Sequence, residues 1–299
     1  MRSLVTLLAL IAISGCSVKK FAINKLGDSL AKSGSTFSSD NDPEFVGGAL
    51  PFSLKLIESL LAESPKHRGL LTAAASGFTQ YAYVYIQQDA EEMEEQDTAR
   101  AAHLRGRARK FYLRARGYGL RGLEVKHPGF EQKLRADAKT AAASTTKVDV
   151  PLLFWTASAW GAAISLSKDD PDLIAEQPLL EALIDRALAL DESYDSGAIH
   201  GFLISYEPSR PGGEADAAVR CRMHFDRVMQ LTKGQSAAPL LSLAESVSIS
   251  KQNKTEFLEL LARAQKIDPD ARPDLRLSNL VMQRRARWLE GRVDKLFVD

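Results

Sequence analysis

Apolar residues recur at spacings of three and four along most of the chain. Two clear examples are Leu54, Ile57, Leu60 and Leu61, and then Leu179, Leu183, Ile184 and Ala187. This spacing places apolar side chains on one face of an α-helix, whereas strands need an alternation of period two, which is not sustained here. The sequence therefore predicts an all-α domain over residues 43–299.

The predicted helix ends resemble one another. A small or apolar segment is followed by a proline, an acid or a lysine in 59–65, 122–128, 187–192, 228–233 and 264–269. The last positions of the motif lie 63, 64, 41 and 36 residues apart, close to one or two tetratricopeptide periods of about 34 residues. This pattern predicts a degenerate tetratricopeptide-like helical-repeat solenoid; the alternative is a chance series of helical hairpins.

The N-terminus has the features of a lipoprotein signal peptide over residues 1–15. Arg2 is followed by an apolar run that is too short to span a bilayer, and Ser14 and Gly15 are small residues placed directly before Cys16. The thiol of Cys16 is the side chain in this box that can form a thioether to a lipid. The alternative is an ordinary secretory signal with a chance cysteine.

Residues 16–42 are rich in serine, glycine, aspartate and asparagine, which predicts a flexible tether behind the lipidated Cys16. Ser17 follows the cysteine, and lipoproteins with serine at this position are usually sorted to the outer membrane of bacteria that have two membranes. The predicted location is therefore the periplasm, with a lipid anchor as the contact with the membrane.

Charge excludes one class of function. Loss of Arg2 with the signal leaves 38 basic and 38 acidic residues, and this balance gives no indication of nucleic acid binding.

Once Cys16 carries lipid, Cys221 is the remaining thiol, so neither a disulfide nor a cysteine metal site is expected. The five histidines lack metal-binding spacing, and phosphate-loop, nucleophile-elbow and dinucleotide motifs are absent. We expect no enzyme activity, no metal and no cofactor.

Charged residues cluster in two neighbouring segments. Residues 89–97 contain six acids, and residues 100–139 contain twelve bases against three acids. One interpretation is a solvated surface whose charges pair across a helical hairpin. The other is a docking surface that steers a partner protein, for which Arg105, Arg109 and Arg116 are the candidates.

Aromatic residues form two groups on separate predicted helices. Small residues surround them, and a mixture of large aromatic and small side chains can line a cavity for an apolar ligand. Core packing is the alternative interpretation. The ligand-cavity candidates are Tyr81, Tyr85, Phe154, Trp155 and Trp160.

Spread-out positions carry a resemblance to a known family. They include Gly212-Gly213 with Ala217, His224-Phe225, Ala244-Glu245 and the run from Phe257 to Leu261. With the segments 51–89, 111–130, 155–170 and 183–288, they make the chain similar to the T component of TRAP-type (tripartite ATP-independent periplasmic) transporter systems.

The resemblance implies a periplasmic lipoprotein with a tetratricopeptide-like fold that forms a homotrimer. It also implies that the protein binds the solute-binding P component and helps to pass a small apolar ligand, and it supplies no catalytic residue. The alternative function is a generic envelope scaffold whose helical repeats bind peptides of assembly partners.

Lipidation at Cys16 is directly testable. Because the thioether requires the thiol, Cys16→Ala should release the protein from membranes, while Cys221→Ala should not. The measurement is the fraction of protein that stays with membranes after a carbonate wash. Retention of the Cys16→Ala protein would contradict lipidation at this position.

Overall fold

The computed structural model describes residues 23–30, 34–212 and 217–298. The helices are α1 (23–30), α2 (Gly34–Ser38), α3 (Pro43–Glu63), α4 (Arg68–Ala82), α5 (Gln88–Met93), α6 (Thr98–Glu124), α7 (Phe130–Ala136), α8 (Ala138–Ala143), α9 (Val150–Ser165), α10 (Pro171–Ile174), α11 (Gln177–Leu190), α12 (Tyr194–Tyr206), α13 (Ala217–Leu231), α14 (Ala238–Leu243), α15 (Lys254–Gln265), α16 (Arg276–Glu290) and α17 (Val293–Leu296). Across these ranges there is no strand, and the all-α prediction is confirmed.

Local sequence explains where the helices begin. The Asp42 carboxylate accepts the backbone N–H groups of Glu44 and Phe45 at the start of α3, and Asp97 accepts that of Arg100 at the start of α6. Such caps satisfy backbone donors that have no partner within the first turn. π-Helical turns at Tyr83–Gln87 and Ala244–Ser248 interrupt the regular helices. The long element from Arg68 to Met93 is therefore two α-helices joined by a π turn.

The five predicted helix ends are confirmed. The helices α3, α6, α11, α13 and α15 end at Glu63, Glu124, Leu190, Leu231 and Gln265. Distant parts of the described chain also meet, since Arg276 at the start of α16 donates to the Ser39 carbonyl just after α2 at 2.8 Å. Repeats of an open solenoid contact their neighbours only. This return contact is not part of such an array, and the tetratricopeptide-like repeat architecture stays a prediction.

Helices α6 and α9 approach each other closely where they cross. A side-chain carbon at Gly119 would lie 2.0 Å from Thr156 Oγ1, and one at Gly122 would lie 2.5 Å from Leu152 Cδ2. Glycine is therefore required for the two backbones to approach this closely. Around the crossing lie the largest fully buried side chains, including Trp160, Tyr112 and Phe130.

The described part of residues 16–42 contains the helices α1 and α2, and the flexible tether stays a prediction. Ile23 and Leu30 of α1 pack against the core of α3 and α4. Asn24 accepts a hydrogen bond from Ser64 at 2.8 Å. Apolar positions seven residues apart share a helix face, which explains the docking. The predicted signal peptide and Cys16 lie outside the described residues.

Helix α3 is long and apolar enough, by length and composition, to cross a membrane. The few charges within the helix break the continuous apolar run without removing its average apolar character. Leu54, Ile57 and Leu61 are buried against α4, while Phe45 and Phe52 are exposed.

The acidic segment 89–97 pairs mainly with the end of the chain. Glu94 pairs with Arg105, as expected for a hairpin. Glu95, however, lies 2.8 Å from Arg292 and 2.5 Å from Lys295, while Asp89 and Glu92 lie 3.8 Å and 3.7 Å from Arg284. The hairpin interpretation is therefore correct for one pair and wrong for the others.

Arg285 is the most buried member of this network, with a side chain 7% exposed. Its guanidinium donates to both oxygens of Glu245, at 2.8 Å and 2.6 Å, and contacts Glu91 at 2.8 Å. Burial alone would lower the pKa of Arg285, but the hydrogen bonds and charge of Glu245 outweigh it and raise the pKa. Arg285 thus joins α5, α16 and the π turn after α14.

Removing this guanidinium should destabilise the fold. Arg285→Met would leave Glu91 and Glu245 partly buried without a cation, and we expect a loss of about 3 kcal/mol in the free energy of unfolding. Arg287→Met is the matched control, because Arg287 is exposed on the same helix, and it should change the value by less than about 0.5 kcal/mol. Urea unfolding measures both; equal effects would contradict a structural role for Arg285.

Candidate functional site

An open groove of about 920 Å³ lies between the end of α11, α12 and α13. Its apolar lining includes Leu188 and Ala189 from α11 and Val219 and Met223 from α13. Val219 and Met223 are 66% and 57% exposed, although both are apolar. Exposed apolar side chains in a concave surface are typical of a binding site.

Two histidines lie in the wall of this groove. His200 of α12 and His224 of α13 are both buried, and their Nδ1 atoms are 2.9 Å apart. At this distance one ring must donate its Nδ1 proton and the other must accept it, so the pair is stable with both rings neutral. His200 Nε2 lies 3.4 Å from Glu192 Oε2 without forming a hydrogen bond.

The surroundings keep both rings neutral near pH 7. Burial, followed by the charge of His200, lowers the pKa of His224 to about 4. Burial also lowers the pKa of His200, and the contact with Glu192 opposes this without cancelling it. Protonation of both rings would place two N–H donors and two charges against each other.

The position of His200 depends on an unusual turn at the start of α12. Asp195, Ser196 and Gly197 have φ values of 46°, 56° and 89°. Two of these are non-glycine residues in the left-handed region, which costs free energy. A side chain at Gly197 would also meet Leu231 of α13 at 2.9 Å. Glycine therefore allows α12 to lie against α13 with the histidines in contact.

The bases at the groove edge are already paired. Arg222 donates to both carboxylate oxygens of Glu256, and Arg227 donates to both oxygens of Glu192. The groove thus offers apolar walls and histidine nitrogens, with its arginine charges neutralised. This arrangement suits an apolar group with a hydrogen-bonding end.

The structure separates the five ligand-cavity candidates. Tyr81 and Tyr85 are half-buried and 5.8 Å apart, and the Tyr85 hydroxyl donates to the Pro43 carbonyl at 2.8 Å. Phe154 is buried, 4.8 Å from the half-buried Trp155. Trp160 is fully buried and donates its Nε1 proton to Glu176 at 3.0 Å. All five lie outside the lining of the groove, and their role in ligand binding stays a prediction.

The three docking candidates are engaged within the chain. Arg105 pairs with Glu94 and Arg109 with Asp170. Arg116 pairs with Glu176 at 2.7 Å and lies over the Trp160 ring, 4.8 Å from its centre. Their role in docking stays a prediction, but a partner would have to compete with these ion pairs.

One acid–histidine pair outside the groove has a structural explanation. The buried Asp149 accepts the Thr146 backbone N–H at 2.8 Å and contacts His127 Nε2 at 3.1 Å and Arg68. Burial would raise the pKa of Asp149, but the hydrogen bonds from Thr146 and His127 lower it overall.

Within the described parts of the chain, no group of three or more His, Cys, Asp or Glu side chains could hold a metal ion. Cys221 is buried, and its thiol contacts the Ile204 carbonyl at 3.2 Å.

Sequence reasoning did not find the groove. His200 and His224 are 24 residues apart on consecutive helices, a spacing that matches no local motif. Two available signals were the apolar Val219 and Met223, four residues apart on the otherwise polar outer face of α13.

An all-helical domain with an open apolar groove is typical of a binding protein. Comparison with known families identifies its class: a family model for the TRAP transporter T-component matches residues 39–297. The chain belongs to the TRAP transporter T-component family, a family of transporter accessory proteins. It is also 28% identical over 304 residues to an uncharacterized protein from Treponema pallidum (strain Nichols), which covers 96% of this chain and 94% of that protein.

The histidine pair should make stability depend on pH. A pKa near 4 in the folded protein, against an ordinary 6.5, means that the unfolded chain binds more protons between these values. The stabilisation is complete above pH 6.5 and is lost as the pH falls toward 4. Between about pH 7.5 and about pH 5, His224 should account for a loss of about 2 kcal/mol.

Urea unfolding at both pH values measures this effect. His224→Gln removes the titrating ring and should flatten the pH dependence relative to the unmutated protein. His103→Gln, which changes an exposed histidine on α6, is the control and should leave the dependence intact. The same slope in all three proteins would show that the pair does not titrate as described.

Proposed function

We propose that the protein is a lipid-anchored accessory component of a TRAP-type transporter that faces the periplasm and docks the solute-binding P component. The observation that carries this proposal is the family match over residues 39–297, nearly the whole domain. The signal peptide and Cys16 supply the anchor, and Ser17 favours the outer membrane. Contact with the membrane through the lipid alone is part of the same proposal.

A homotrimer and a role in holding a small apolar ligand also belong to this proposal, and both come from the family resemblance. Tyr81, Tyr85 and Trp155 retain exposed surface that a ligand could contact. Phe154 and Trp160 are buried, so they could line a ligand cavity only after movement of the surrounding helices. The groove beside His200 and His224 needs no such movement, and we include it as a second ligand-binding candidate.

Membership in a family of transporter accessory proteins supports a non-enzymatic role. The proposal therefore assigns no catalytic residue, no metal and no cofactor, and the neutral charge balance gives no support for nucleic acid as a partner.

One observation favours the alternative function, an envelope scaffold that binds peptides. The groove exposes Val219 and Met223 on one face of α13, and such a surface can receive apolar side chains of a partner helix. In that case the partner would be an envelope assembly protein, and no transport would be involved.

Purification from cross-linked cells distinguishes the two functions. We expect the tagged chain to recover the P component of the same organism, as identified by mass spectrometry, and light scattering of the purified protein to give three times its monomer mass. The Cys16→Ala protein is the control for capture that depends on the anchor. Recovery of assembly proteins without a P component would replace the transport proposal with the scaffold.

A further inference from the structure

Helix α6 carries its bases on two faces. At roughly 100° per residue, Arg105, Arg109 and Arg116 fall on one side of the helix. Arg100, His103, Arg107, Lys110 and Arg114 follow one another at spacings of three and four, on the opposite side, and all five are exposed. We name these five residues the basic stripe.

The basic stripe is poorly neutralised. Among the residues that the structure describes, no carboxylate pairs with Arg100, Arg107 or Lys110, and α6 itself contains no acid before Glu124. Arg114 is the exception, since its Nε lies 3.0 Å from Glu58. The opposite face of the same helix pairs all three of its arginines. The positive potential of α6 is therefore directed outward along one side.

A recess of about 420 Å³ lies in the stripe, lined by Arg107, Lys110, Arg114 and Phe111. The Phe111 ring is 5.6 Å from Phe78 and 5.8 Å from Tyr81, so a group that enters the recess meets an aromatic wall held by the core. Cations surrounding an aromatic surface are complementary to carboxylates that flank an apolar side chain.

We infer that the basic stripe is the docking surface for an acidic protein segment in which carboxylates flank an apolar side chain. This inference rests on the proposed function, under which the partner is the solute-binding P component. It places the docking surface on the face of α6 opposite to Arg105, Arg109 and Arg116, the candidates taken from the sequence. An anionic lipid surface would attract the same bases, but its headgroups would leave the recess and Phe111 unused.

The test reverses two charges that the structure leaves unpaired. Arg107→Glu with Lys110→Glu should leave the fold intact, because neither side chain is buried. Lys126→Glu with Lys139→Glu is the matched control: it makes the same change in net charge at exposed positions outside the stripe. Circular dichroism and urea unfolding confirm that both proteins remain folded.

The readout is the rate of association of the complete chain with the P component, measured by stopped flow at low salt and at about 0.15 M salt. We expect association of the stripe variant to be slower by about tenfold or more at low salt, and that of the control by less than about twofold. The difference should shrink at the higher salt concentration, because screening acts on exposed charges.

Each outcome decides one point. Equal rates for the stripe variant and the control would overturn the stripe and leave the proposed function standing. No association of the unmutated chain would overturn the proposed function and the stripe with it. If the stripe variant loses binding only to phosphatidylglycerol vesicles, and its association with the P component is unchanged, the surface recognises lipid and the inference is wrong.

Discussion

A buried guanidinium joins three segments of this fold that are far apart in the sequence. Arg285 on α16 is shared by Glu91, just after the first π turn, and Glu245, within the second. A cation with so little exposure is tolerated because carboxylates occupy its donors, and loss of one partner would leave a charge without compensation. The packing of α16 against α5 and against the second π turn therefore depends on this contact.

The same network determines which charges stay available on the surface. The carboxylates within α5 and just after it are mostly engaged by Arg284, Arg285 and Arg292 of the C-terminal region. They are consequently unavailable to most of the bases of α6, which lie immediately downstream in the sequence. One face of α6 finds its counter-ions in Glu94, Asp170 and Glu176 instead, and the other face remains basic.

Local sequence patterns predicted the local features well. The helical class and the five helix ends follow from apolar spacing and terminating residues, which act over a few positions. Pairing between distant residues was not predictable in this way. Glu94 and Arg105 are eleven positions apart, in the two segments that the hairpin interpretation pairs, whereas Glu95 and Lys295 are 200 apart.

The candidate site shows the same limit. A large aromatic side chain can either fill a hydrophobic core or line a cavity, and the sequence does not distinguish these two positions. Trp160, for example, is buried and donates a hydrogen bond to Glu176, sixteen residues away. The groove is formed by side chains from three helices, and its histidines lie on consecutive helices, one of which begins with a left-handed turn. No short motif encodes that arrangement.

The docking of α1 bears on how the domain would sit above a membrane. With α1 fixed against Ser64 and His67, residues 16–22 are the only part of the chain between a lipidated Cys16 and the folded body. Seven residues span at most about 25 Å even when fully extended. Under the proposed lipidation of Cys16, the junction of α3 and α4, which α1 contacts, would lie within about this distance of the membrane. Partners of the domain would have to approach from the sides that face away.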